Sequence, residues 1–137
     1  MYNCISFEEE LPMLKEINTS KAPAAIGPYS QAIQAGDFLY VSGQIPLDPA
    51  TGEVVEGIEN QTKQVLENLK AILTEAGTDF SKVAKFTIFI KDMNDFATIN
   101  EIYGSYLEKP YPARATVEVA RLPKDVLVEM DVVAYLK

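Results

Sequence analysis

A chain of 137 residues, 47% hydrophobic and 23% charged, is long enough for one compact domain with its own core. Twenty Asp and Glu against twelve Lys and Arg give a net charge of −8, which opposes a main task of binding phosphate backbones, an affinity built from clustered Lys and Arg. Zero histidines exclude Ser/His/Asp and Cys/His triads and remove the commonest metal ligand.

The only cysteine is Cys4, so no intramolecular disulfide can form. No apolar run approaches the roughly 18 residues of a membrane span. A cytoplasmic location with no membrane partner is expected. Residues 1–12 lack a clear period, carry the triplet Glu8-Glu9-Glu10, and read as an N-terminal extension to a single domain over 13–137.

In chain order, Leu14–Ile17 is a short strand, and Thr19 to Tyr29 is a loop, because Pro23, Gly27 and Pro28 cannot enter a sheet interior. Gln31–Ala35 and Phe38–Ile45 are strands joined by Gly36-Asp37, and Gly at the first turn position suits a type II′ hairpin. Pro46 to Gly57 is a polar loop. From Ile58 to Ala76, Val65, Leu66, Leu69, Ile72 and Leu73 keep helical spacing, and Gly77 supplies the stop. Val83–Lys91 is a strand. Asn94 or Asp95 is the expected cap of a second helix striped by Phe96, Ile99 and Tyr103.

The last quarter, Pro112 to Ala134, reads as a hairpin with its turn at Leu122 to Asp125, pairing Arg121 with Val126. In that register Val117, Val128, Met130 and Val132 share an apolar face, while Arg114, Glu118, Glu129 and Asp131 share the other. A guanidinium and carboxylates are too costly to desolvate for an ordinary core, so that face is either wet or a site. The expected fold class is α+β, β-β-β-α-β-α-β-β, with two helices on one face of a mostly antiparallel sheet. The other face, with Val133, Leu127 and Ala120 among charges, calls for cover by a partner subunit.

No GxxxxGK[ST] or GxGxxG is present, and Asp92, Asp95 and Glu101 lack metal-ligand spacing, so neither a cofactor nor a metal is expected. Chemistry would run on Arg, Glu, hydroxyls and backbone groups. Glu129 has two open roles, general base or mere neutraliser of Arg114. Gly43 inside a strand implies a bulge or a close approach.

Several ordered motifs carry a family resemblance: Ala22-Pro23-Ala24-Ala25-Ile26-Gly27-Pro28-Tyr29-Ser30-Gln31-Ala32, Val41-Ser42-Gly43-Gln44-Ile45-Pro46, Phe89-Ile90-Lys91-Asp92-Met93, Pro112-Ala113-Arg114-Ala115-Thr116-Val117-Glu118-Val119-Ala120 and Val128-Glu129-Met130. From about Leu14 to the C-terminus the chain resembles the Rid/YjgF family of reactive-intermediate deaminases. The resemblance implies a chorismate-mutase-like fold, a homotrimer with clefts between subunits, and cofactor-independent hydrolysis of 2-imino acids (2-iminopropanoate, 2-iminobutanoate) to 2-keto acids and ammonia. It also implies that Arg114 binds the substrate carboxylate, that Glu129 positions or activates water, and that Tyr29, Ser42, Gly43, Asn100 and Thr116 line the cleft. Thr116 stands where many members have cysteine. Two other readings are a non-catalytic trimer that senses 2-keto acids or related metabolites, and an RNA-cleaving inhibitor of translation, against which the acidic balance counts.

Overall fold

The computed structural model describes residues 13–137; the extension expected over 1–12, with Cys4, lies outside the described residues. The elements are β1 (Leu14–Ile17), β2 (Ala32–Ala35), β3 (Phe38–Gln44), α1 (Ile58–Glu75), β4 (Val83–Ile90), α2 (Phe96–Ser105), β5 (Ala113–Glu118) and β6 (Val128–Tyr135). They match the expected order. One six-stranded sheet runs β1-β2-β3-β6-β4-β5, antiparallel at every pair except the parallel β4–β5 pair, and both helices pack on the same face.

The local signals act as their chemistry dictates. Ala35 pairs with Phe38 across a two-residue turn, with Gly36 at φ 61, where a side chain would be strained. Helix α1 presents Val65, Leu66, Leu69, Ile72 and Leu73 to the sheet, all fully buried, and each such side chain contributes about 1.5–3 kcal/mol. Its end is closed at Gly77, φ 85, by a paired motif: the Thr78 N–H donates to Leu73 O at 2.9 Å and the Gly77 N–H to Thr74 O at 3.0 Å. At α2 the capping side chain is Asp92, which accepts from the Asn94 N–H and starts a short 3₁₀ turn (Met93–Asp95), rather than Asn94 or Asp95.

The C-terminal hairpin does not form. The turn does fall at Leu122–Asp125, but Arg121 grips Asp125 through two bonds of 2.7 and 3.2 Å, and β5 and β6 part on either side of β4. Strand β6 takes the centre, where Val128, Met130, Val132 and Ala134 are fully buried. Strand β5, with Arg114 and Glu118, takes the edge, where charged side chains reach water. Register then separates the two charges expected together. Arg114, Thr116 and Glu118 stand opposite Phe86, Ile88 and Ile90, which face the helices. Glu129 and Asp131 stand opposite Phe89 and Thr87 on the open face. Arg114 and Glu129 therefore project from opposite faces of the sheet.

Three buried amides hold the loops to this frame. Gln31, 1% exposed, accepts from the Thr19 N–H at 2.7 Å and donates to Thr19 O and Pro23 O at 3.0 and 2.8 Å. Asn68 donates to Ile45 O and Leu47 O at 3.2 and 3.0 Å. Gln61 donates to Val55 O and accepts from the Leu127 N–H at 2.8 Å. Gln31→Leu keeps volume but strands the loop's polar groups. It should lower unfolding free energy by about 2–3 kcal/mol, read by urea denaturation. A loss below about 0.5 kcal/mol would show that the loop is held by other contacts.

Candidate functional site

A cavity of about 610 Å³ opens at the end of β3. Its walls come from three connections and two strands: the loop bearing Pro23 and Tyr29, the segment after β3 with Ile45 and Leu47, the turn at Pro123-Lys124, Ser42 to Gln44 of β3, and Glu129 of β6. The side-chain amides of Gln31 and Asn68 fix two of these connections by donating to Pro23 O and to Ile45 O and Leu47 O.

Glu129 enters the cavity through a defect in β3. Val41 pairs with Val132 and Gln44 with Met130, so Ser42 and Gly43 together oppose Asp131, as in a β-bulge. The Ser42 N–H turns to Gln31 O at 2.9 Å and its hydroxyl donates to Ser30 O at 2.6 Å. Gly43 has no side chain because Glu129 occupies the space: a Cβ there would overlap the carboxylate oxygen and lie 3.0 Å from its carbon. The close approach expected from a glycine in a strand is thus made by the acid itself.

Burial pushes the Glu129 carboxyl above its ordinary value, and Asp131, two residues along on the same face, pushes it further. Asp131 is raised as well, first by burial; a bond to Thr87 and the charge of Lys85 pull the other way. Such a carboxyl is a better proton acceptor near neutral pH than a free glutamate. Tyr29 stands at the cavity edge, 53% exposed.

The second group of expected residues lies elsewhere. The Arg114 guanidinium donates through Nη1 to Asn100 Oδ1 at 2.6 Å, and its Cζ stands 5.4 and 5.0 Å from the ring centroids of Phe96 and Tyr103. Thr116 carries a buried hydroxyl with no hydrogen-bond partner. Of the seven residues singled out by sequence, Tyr29, Ser42, Gly43 and Glu129 share the cavity, while Arg114, Asn100 and Thr116 meet at the β5 edge on the other face. Sequence reading missed the cavity wall at Pro123-Lys124. It also took Phe96 and Tyr103 as core stripe only; their spacing with Asn100 along one helix face was the available signal. Among the described residues no cluster of three or more His, Cys, Asp or Glu could hold a metal ion, and no helix is long and apolar enough to cross a membrane.

The fold is a single α+β layer that carries an acid pressed against a bulge of β3 and an aromatic-backed arginine at the β5 edge. The family model described as Endoribonuclease L-PSP matches residues 19–136. A RutC family protein of Pyrococcus abyssi is 59% identical over 125 residues, 90% of this chain and 98% of that protein. The mouse 2-iminobutanoate/2-iminopropanoate deaminase is 51% identical over 121 residues, 88% of this chain and 90% of that protein. The crystal structure of a Rid family protein from Yersinia pestis superposes with a TM-score of 0.88 at 52% identity, covering 89% of this chain and 98% of that one. The chain belongs to the Rid/YjgF family.

Glu129 gives a test that needs no substrate. Its raised folded-state value means that its ionisation opposes folding: the penalty is absent below the ordinary carboxylate range and complete once pH rises past the folded-state value. Glu129→Gln should therefore unfold at a higher temperature than the parent at pH 7, with the difference shrinking as pH falls through the acid range. Equal melting temperatures at pH 7, or a gain that grows on acidification, would contradict the buried, charge-opposed setting.

Proposed function

We propose that the protein hydrolyses reactive 2-imino acids such as 2-iminopropanoate and 2-iminobutanoate to 2-keto acids and ammonia, without a cofactor. The observation that carries this reading is a carboxyl with a raised pKa held against Gly43 in a cavity, in a chain 51% identical to a mouse protein named for that reaction. A 2-imino acid needs little activation. Its carboxylate lies beside an electrophilic C=N carbon, so orientation and one proton acceptor suffice.

Arg114 is the carboxylate anchor. One of its five N–H donors goes to Asn100, and the others remain for a planar two-point grip. Glu129 holds the water that attacks the iminium carbon and takes its proton. The carbinolamine nitrogen takes that proton back from Glu129; as the C–N bond breaks, the hydroxyl O–H bond breaks too, C=O forms, the hydroxyl proton passes to the departing ammonia, and a 2-keto acid and ammonium leave. Atoms and charge balance with water as the only co-reactant. Thr116 lines the anchor side; Tyr29 and Ser42 line the cavity.

Because Arg114 and Glu129 project from opposite faces, one chain does not bring them to a single substrate. The reading requires that Arg114 of one copy meet the cavity of another. The open face supports such an assembly: Phe38, Tyr40, Val117 and Tyr135 stand on it, each 40–51% exposed, and an apolar face of that kind is what a second copy covers. The assembly is a homotrimer with clefts between neighbouring subunits. The net charge of −8 favours this reading over RNA cleavage.

The test is ammonia release from an imine generated in situ by an amino-acid oxidase, corrected for spontaneous hydrolysis, on variants confirmed as trimers by light scattering. Arg114→Ala should lower kcat/KM on the order of a hundredfold or more, since a charge-assisted two-point contact with its orientation is worth roughly 3 kcal/mol. Arg114→Lys should be nearly as damaging, because the ammonium lacks the planar fork. Wild-type rates from Arg114→Ala would refute the anchor. No acceleration by the parent chain would leave a 2-keto-acid-binding trimer as the function.

A further inference from the structure

We propose that Phe96, Asn100 and Tyr103 form a positioning cradle that presets the Arg114 guanidinium for its ligand; the role in catalysis rests on the reading of Arg114 as carboxylate anchor. The three residues lie at spacings of four and three along α2, on one helical face. That face meets the β5 edge at Arg114. Asn100 fixes one end of the fork with a 2.6 Å bond. Phe96 and Tyr103 stand 5.4 and 5.0 Å from the guanidinium carbon, within cation–π range of both rings.

The cradle is itself rigid. Tyr103 is buried and meets Phe86 edge-on at 5.0 Å; Phe96 packs against the core. The two rings are thus fixed walls, against which a long arginine side chain that would otherwise sample many rotamers before each binding event is held. A free arginine side chain carries substantial rotamer entropy. Held by one bond and two rings, it loses much of that freedom in advance, and its remaining donors stay together as one planar unit. Lysine in this place could neither lie flat against the rings nor keep the Asn100 bond while gripping a carboxylate at two points.

Two readouts test the cradle. The chain has only two arginines, Arg114 and Arg121, so its arginine Nε–Hε NMR spectrum holds two signals, assigned by Arg121→Lys. The Arg114 signal should move downfield in Phe96→Leu as a ring current is lost, while the Arg121 signal, held by Asp125, stays in place. An Arg114 signal unmoved by Phe96→Leu in the trimer would overturn the cradle without reference to activity. In imine hydrolysis, Phe96→Leu should lower kcat/KM about five- to tenfold, mostly through KM, and Phe96→Trp, which keeps a ring, should retain more activity than Phe96→Leu. On an Arg114→Ala background Phe96→Leu should add nothing further. The same loss with and without Arg114 would mean that Phe96 acts only in packing, and the cradle falls. Undiminished hydrolysis by Arg114→Ala would instead remove the anchor, a failure told apart because the NMR signal reports the cradle alone.

Discussion

Strand β6, inserted between β3 and β4, decides where every candidate group stands. Its alternate residues Val128, Met130, Val132 and Ala134 are all fully buried under the helices, so its register cannot slip by one residue without turning four apolar side chains outward. That register places Glu129 beside the bulge of β3, where only a glycine leaves room for its carboxylate. It also displaces β5 to the edge, where the parallel partner β4 turns Arg114 toward α2. The positions of Glu129 and Arg114, on opposite faces of the sheet, thus follow from a single packing requirement.

Local chemistry is legible in the sequence because it is written in neighbouring residues. Apolar spacing marks α1, Gly77 marks its end, and Gly36 marks the first hairpin; each signal lies within a few positions of the structure it specifies. Strand neighbours are not written that way. A period of two states which side chains share a face of one strand, and nothing in Ala113–Glu118 or Val128–Tyr135 says whether they pair with each other or with β4. The hairpin reading joined two correct strands and a correctly placed turn by the shortest connection. The structure instead gives the most apolar strand two neighbours. The same limit hid the buried amides: Gln31, Gln61 and Asn68 act on carbonyls supplied by loops, and only their burial distinguishes them from surface polar residues. The cap at Asp92 was missed by a smaller margin, because a 3₁₀ turn moved the start of α2 forward by one turn.

The candidate site also shows what the fold gives up locally. Glu129 and Asp131 are both half-buried and of like charge on one face, and both carboxyls are raised above their ordinary values. The bulge at Ser42-Gly43 interrupts the β3–β6 ladder. Lys124 of the cavity wall and its neighbour Asp125 both hold φ 56, a conformation uncommon outside glycine, asparagine and aspartate. These departures from the most stable arrangement lie around the cavity, and a further one, the unpartnered Thr116 hydroxyl, lies beside Arg114 at the β5 edge. Such concentration is expected where binding, rather than folding, sets the requirement.

The proposed activity has one central claim: Arg114 of one subunit completes the cavity that holds Glu129 of the next. Mixing two crippled chains tests it most directly. Arg114→Ala and Glu129→Gln proteins, each inactive alone, are unfolded together at equal concentration, refolded as mixed trimers, and assayed for imine hydrolysis. Random assembly leaves both groups intact at about a quarter of the interfaces, so activity should return to roughly a quarter of the parent value. Mixed trimers, verified by mass, that remain as inactive as either variant alone would show that the two residues do not serve a shared site.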